Sequence, residues 1–231
     1  MLRSIVAATA ACVPVFAGDI PVAPGGSIQV AIDSAVAGDR VLVAAGTYNE
    51  SIDFKGKAIQ VIGLGGPHAT TIDGTGTGLP VVVFHQGEGS GSVLQGFTIR
   101  GGNYTTGGGH GGGISAYDAA TASFTTPLVQ DCIIRDNTAL LGGGMAGSAT
   151  VERCSFYNNT ITIWGGGGVW GAPHMTDCVL ASNHAINGVG GGICISAPGA
   201  LIEDCVIVDN SATIVARGGG VFVEPGGAGT M

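Results

Sequence analysis

The sequence predicts an all-β chain wound as a right-handed parallel β-helix, a solenoid with a short N-terminal capping α-helix, and three observations carry that expectation. First, four segments align without gaps: Asp131-Cys132-Ile133-Ile134-Arg135-Asp136-Asn137, Arg153-Cys154-Ser155-Phe156-Tyr157-Asn158-Asn159, Asp177-Cys178-Val179-Leu180-Ala181-Ser182-Asn183 and Asp204-Cys205-Val206-Ile207-Val208-Asp209-Asn210. Their cysteines lie 22, 24 and 27 residues apart, a spacing typical of a structural repeat. Second, a Gly-Gly-Gly unit followed by an apolar residue falls between them, at 111–114, 142–145, 166–169, 190–193 and 218–221. Third, the 231 residues include 44 glycines, yet 45% are hydrophobic and only 10% charged, so the chain buries surface and its glycines serve recurring tight turns.

The elements follow in order. Residues 1–17 read as a signal peptide: Met1-Leu2-Arg3 gives a positive start, an apolar run reaches Phe16, and small residues stand at the Val15-Phe16-Ala17 site. That run is too short to span a bilayer and nothing later is longer, so the expected location is secreted or cell-surface. A lipoprotein signal at Cys12 is the alternative, though Thr9 stands where a large aliphatic residue is expected. Residues 18–40 form an expected N-terminal cap. Within it Ile28, Ala31, Ile32, Ala35 and Val36 share one face of a helix over 27–38, stopped by Gly38. Such a helix covers the apolar cross-section and unpaired strand edges at the end of a solenoid.

The β-helix is expected over 41–231. A first coil runs through Val41, Tyr48, Ile52, Phe54 and Val61, and a degenerate copy of the repeat stands at Gly96-Phe97-Thr98-Ile99-Arg100. Residues i and i+2 of a strand face the same side, so each Cys points inward with the apolar residue two later. Strands this short, recurring every twenty-odd residues, pair with their equivalents one coil on, about 4.8 Å away. Phe97, Cys132, Cys154, Cys178 and Cys205 then form an interior column. Asn137, Asn159, Asn183 and Asn210 form a ladder at a turn, passing amide hydrogen bonds from coil to coil. The cysteines read as buried thiols acting as small hydrophobes; disulfides one coil apart are the alternative, and zinc spacing is absent. Cys194 follows the inward Ile193, so it is expected to face out as the reactive thiol.

The opening of the mature chain carries a resemblance. Ser27-Ile28-Gln29-Val30-Ala31-Ile32, Gly38-Asp39-Arg40-Val41, Ala45-Gly46-Thr47-Tyr48-Asn49-Glu50 and Gly56-Lys57-Ala58-Ile59 resemble the start of pectate-lyase-like right-handed β-helix proteins. The later coils are similar to those of bacterial exported and surface β-helix repeat proteins. That resemblance implies the fold; its superfamily includes polysaccharide lyases, glycoside hydrolases, epimerases and adhesin-like proteins, so it does not imply one function. The chain stops at Met231 after a Gly-Gly-Gly-Val strand, which leads to the expectation of a C-terminal continuation or a partner covering the open end.

Candidate chemistry is sparse. The position before each repeat Cys gives Asp131, Arg153, Asp177 and Asp204 on consecutive coils, the candidates for catalysis, with Asp177 and Asp204 as a calcium pair. The plain alternative is a strand bend, where Asp bonds local amides and Arg153 neutralises its neighbours. Trp164, Trp170 and Phe222 are candidates for stacking on sugar rings, or ordinary cover for a flank. His85 with Glu88, and His110, read as isolated and solvated. The glycine runs lack the Gly-Lys-Ser/Thr of a phosphate loop, and the net charge of -8 leaves no basic stripe for nucleic acid. The expected function is an exported scaffold for adhesion or contact with a polysaccharide or cell-surface glycan. A lyase or hydrolase using carboxylates on an outer sheet is the alternative.

Overall fold

The computed structural model describes residues 17–118, 121–213, 217–227 and 229–230, the last two by backbone alone, so the expected signal peptide lies outside them but for Ala17. The chain forms a parallel β-helix. The first sheet has nine strands, from Asp19–Val22 and Arg40–Val43 through Thr150–Glu152 to Gly229–Thr230, stacked in chain order. A second sheet of seven runs from Gly46–Tyr48 to Val206–Val208. A third descends from Ile52–Asp53 through Val82–Val83, Ile114–Asp118 and Val169–Gly171 to Val221–Val223. Ser123–Phe124 turns back antiparallel on Ile114–Asp118. At Asn103–Tyr104 a fourth, five-stranded sheet enters between the second and third, so the cross-section changes from three sides to four. Among the described residues no helix is long and apolar enough to cross a membrane.

Register confirms the interior column. Ile133 pairs with both Thr98 and Ser155, Ser155 with Val179 and Val179 with Val206, which stacks Phe97, Cys132, Cys154, Cys178 and Cys205. All are buried except Cys205, which is partly open in the last coil, and the described cysteines are free thiols. Burial raises the Cys178 thiol to about 12. The asparagine ladder is complete: Asn137 donates to Asn159 Oδ1 at 3.0 Å, Asn159 to Asn183 Oδ1 at 3.0 Å, and Asn183 to Asn210 Oδ1 at 2.9 Å. Each backbone N–H in that run donates to the same oxygen, and each amide also donates back to a carbonyl of the preceding coil. Buried polar groups that would otherwise cost about 1–3 kcal/mol each are thereby satisfied.

The bends are single residues. Asp131, Arg153, Asp177 and Asp204 have φ of 53°, 51°, 54° and 51°, turning the chain from the first sheet into the second. Asp136, Asn158, Ser182 and Asp209 repeat this at the next corner. Asp and Asn tolerate this left-handed region better than other non-glycine residues, which explains their recurrence; Arg153 and Ser182 are the departures. The glycine triplets do more than turn. Gly142 takes φ 61°, but a Cβ on Gly143 would lie 2.5 Å from both the Gly167 and Thr160 carbonyl oxygens. The middle glycine is there because the next coil's backbone leaves no room for a side chain.

The N-terminal cap differs from expectation in two ways. It already holds a strand, since Asp19–Val22 pairs with Arg40–Val43, and its helix spans Ile28–Ser34 rather than reaching Gly38. Ala35 leaves helical geometry at ψ 149°, and the end is closed from outside: Lys57 Nζ donates to the carbonyls of Ile32, Asp33 and Ala35 at 2.7, 2.9 and 2.9 Å. At the other end Glu50 accepts from the Ile28 and Gln29 amides at 2.7 and 3.2 Å and from the Ser27 hydroxyl at 2.8 Å. An anion at the N-terminus and a cation at the C-terminus both complement the helix dipole. One coil thus clamps a seven-residue helix too short to persist alone.

Candidate functional site

The outer face of the third sheet gathers the chemistry. Register there aligns Asp53 with Val83, Val83 with Ser115, Ser115 with Ala146, Ala146 with Trp170, Trp170 with Cys194 and Cys194 with Phe222. These residues alternate with inward Ile52, Val82, Ile114, Met145, Val169, Ile193 and Val221, so they form one outward column. At about 4.8 Å per step the column is about 29 Å long.

At its N-terminal end lies a pocket of about 310 Å³, lined by Asp53, His85, Tyr104, His110, Ser115 and Tyr117 together with Ser51, Ile52, Leu79, Pro80, Val83 and Gly107. Small Val83 and Ser115 make its floor. The loops before Val82 and before Ile114 supply its walls, where the three-sided coils become four-sided. Asp53 is held from both sides: its N–H donates to Gln29 Oε1 at 2.7 Å, and Gln29 Nε2 donates to its carbonyl at 3.2 Å. Its carboxylate accepts from the Lys55 amide at 2.8 Å and meets His85 Nε2 at 3.1 Å. The capping helix therefore fixes the backbone that carries the pocket's carboxylate.

An aromatic cluster closes the other end. His110 stacks on Tyr117 with centroids 4.3 Å apart at 27°, and Trp170 packs on His110 at 5.4 Å. Phe124, brought in by the antiparallel turn, meets Tyr117 at 5.5 Å and Trp170 at 5.6 Å edge-on. Burial lowers the His110 pKa, so its ring is neutral at pH 7. In the sequence His85 with Glu88, and His110, stand isolated, and a lone His in a glycine-rich turn is expected to be solvated; the structure gives each a partner. His85 pairs with Asp53, and His110 is half-buried in the cluster. Glu88 is buried, accepting from the Gly56 and Gln86 amides at 2.8 and 2.7 Å.

The sequence candidates divide between two faces. Trp170 and Phe222 are on the outward column, half-buried, and Trp164 stands at the same flank with its indole N–H donating to Glu224 at 2.7 Å. Cys194 does face outward in the sheet, but it is fully buried under the Glu224 carboxylate, 3.4 Å from its sulfur. Burial first, and that carboxylate second, raise its pKa, which overturns the expectation of a reactive thiol. Asp131, Arg153, Asp177 and Asp204 are away from the pocket, at the corner between the first two sheets. There Arg153 bonds Asp131 at 2.7 Å and Glu152 at 2.9 Å, and its guanidinium holds Asp131 below the ordinary carboxylate value. Asp177 and Asp204 both bear on the Cys205 thiol, whose pKa rises chiefly through burial. Among the described residues no three His, Cys, Asp or Glu gather as a metal site, so the calcium expectation rests on these two carboxylates alone.

Comparison with known proteins bears on the fold. The family described as the right handed beta helix region matches residues 82–231. No curated protein matches the chain. Among solved structures the chain is similar to a PL6 family alginate lyase variant, at 10% identity and a TM-score of 0.41 over 92% of this chain and 40% of that one. It is also similar to a pectin methylesterase variant in complex with a hexasaccharide, at 15% identity and a TM-score of 0.34 over 81% of this chain and 52% of that one. The chain thus spans about half the length of these structures, or less.

Proposed function

The chain belongs to the right-handed β-helix family, and from that premise we propose that it is an exported protein that contacts a polysaccharide along the outer face of its third sheet. One observation carries the reading: the pocket of Asp53, His85 and Tyr104 opens beside the Tyr117–His110–Trp170–Phe124 cluster on the same face. Aromatic rings offer flat apolar surface to the C–H face of a sugar, while convergent polar groups fix its hydroxyls. Half-buried Trp170 and Phe222, on either side of the buried Cys194, continue this face beyond the pocket, which suits an extended chain rather than a monosaccharide. Export rests on the charged start, short apolar run and small residues of 1–17.

The test is affinity electrophoresis of the mature protein through gels containing soluble polysaccharides, beside a Tyr117→Ala variant. A polysaccharide of the right class retards the wild type, and Tyr117→Ala weakens binding about tenfold, the equivalent of one lost stacking contact. Equal migration of both proteins in every gel rejects the reading.

A second reading has its own observation. Asp53 paired with His85, with His110 and Tyr104 in the same pocket, supplies groups able to move a proton on a bound sugar. It predicts that incubation with the bound polysaccharide releases shorter or unsaturated products, and that His85→Ala abolishes their release. Intact polysaccharide after prolonged incubation rules it out.

A further inference from the structure

We propose that this pocket selects uncharged pyranose chains over polyuronates, and that Asp53 is the residue that discriminates. The inference rests on the glycan reading above and adds the charge class of the ligand. Asp53 is the one carboxylate that lines the pocket, and no Lys or Arg lines it. Of the two histidines, His110 is kept neutral by burial and contributes a ring face rather than a cation. His85 is already engaged by the Asp53 carboxylate at 3.1 Å.

Lys55, two residues further along the chain, is held at 2.7 Å by Asp33 on the capping helix and does not line the pocket. Arg40 and Arg153 are committed to Asp19 and Asp131 on other faces. A uronate carboxylate entering here meets a fixed carboxylate and no lining Lys or Arg, a juxtaposition that disfavours binding. A neutral sugar meets the opposite case. Its hydroxyls donate to the Asp53 oxygens, and charge-assisted hydrogen bonds of this kind are stronger than neutral ones. The carboxylate is well placed for this because Gln29 and the Lys55 amide fix its backbone and one oxygen, so little ordering is left for the ligand to impose.

The experiment compares neutral chains (a soluble β-glucan, a galactan and a xylan) with polygalacturonate and alginate at pH 8, using affinity electrophoresis and isothermal titration. The wild type is expected to bind at least one neutral chain at least tenfold more tightly than either polyuronate. Asp53→Asn, which keeps the shape and the acceptor for the Lys55 amide, should narrow that ratio to within about threefold. As a check that uses no variant, polyuronate binding by the wild type should strengthen with added salt as like charges are screened. Salt should have less effect on Asp53→Asn.

A wild type that prefers polyuronates, or an Asp53→Asn protein with an unchanged ratio, overturns the selectivity while leaving glycan binding intact. Binding of neither class, with Tyr117→Ala indistinguishable from wild type, overturns the glycan reading and the selectivity with it.

Discussion

His110 shows how much a single position depends on neighbours distant in sequence. It follows three glycines, where an imidazole is ordinarily solvated, yet Tyr117 and Trp170 bury it. Its pKa lies below the ordinary value near 6.5. The folded state therefore holds the proton less readily than the unfolded chain. The stability this neutral ring provides is fully present above about pH 6.5 and is lost as the pH falls toward the folded value. Urea midpoints measured from pH 8 down to pH 5 should drop more for the wild type than for His110→Phe, which keeps the stack without a titrating group. Parallel curves would remove this account. The thiols make a complementary point: Cys205 is the partly open member of its column, so a thiol reagent added to the folded protein should label it first among the described cysteines. Cys132, Cys154, Cys178 and Cys194 should react only after denaturation, and early labelling of Cys194 would contradict its burial under Glu224.

Among the elements, legibility in the sequence follows the repeat. The column from Phe97 to Cys205 and the asparagine ladder were readable because one Cys and one Asn recur at a fixed offset, and stacking turns a fixed offset into contact. The pocket was not readable. The third-sheet strands Ile52–Asp53, Val82–Val83 and Ile114–Asp118 begin 30 and 32 residues apart, outside the 22 to 27 that separate the ladder cysteines. Insertions of this kind hide the alignment that brings Asp53 to His85. The helix limit is hidden for a similar reason: apolar spacing continues to Val36, but Lys57, from the following coil, captures the carbonyls that end it. The glycine triplets are plain in the sequence, but it does not show that their middle residue faces the backbone of the next coil. Since a Cβ there meets two carbonyl oxygens at 2.5 Å, Gly143→Ala should cost about 3 kcal/mol or more by forcing coils apart. Asn159→Ala should cost a similar amount, about 3 kcal/mol, by orphaning the Asn137 amide and side chain. Urea unfolding monitored by circular dichroism measures both; a loss under 1 kcal/mol in either would mean the coils are looser than described.

For the whole molecule, stability is a sum over neighbouring coils rather than a property of one compact centre. Residues 155–178 make one period, and deleting them joins Cys154 to Val179, the residue that follows the next ladder cysteine. That shorter chain should fold, with a urea m-value lower by roughly a tenth, because m scales with the surface exposed on unfolding. Removing half as many residues should cost far more stability, since the strands at the cut no longer meet their equivalents one coil on.

The clamp of Glu50 and Lys57 on the capping helix also determines how copies of the protein can meet. The helix packs on Asp19–Val22, Arg40–Val43 and Ile52–Asp53, the N-terminal strands of the first and third sheets, and Glu50 and Lys57 hold it there. A strand of another copy meets this helix rather than an open edge at the sheets it covers, so loosening the clamp invites edge-to-edge association there.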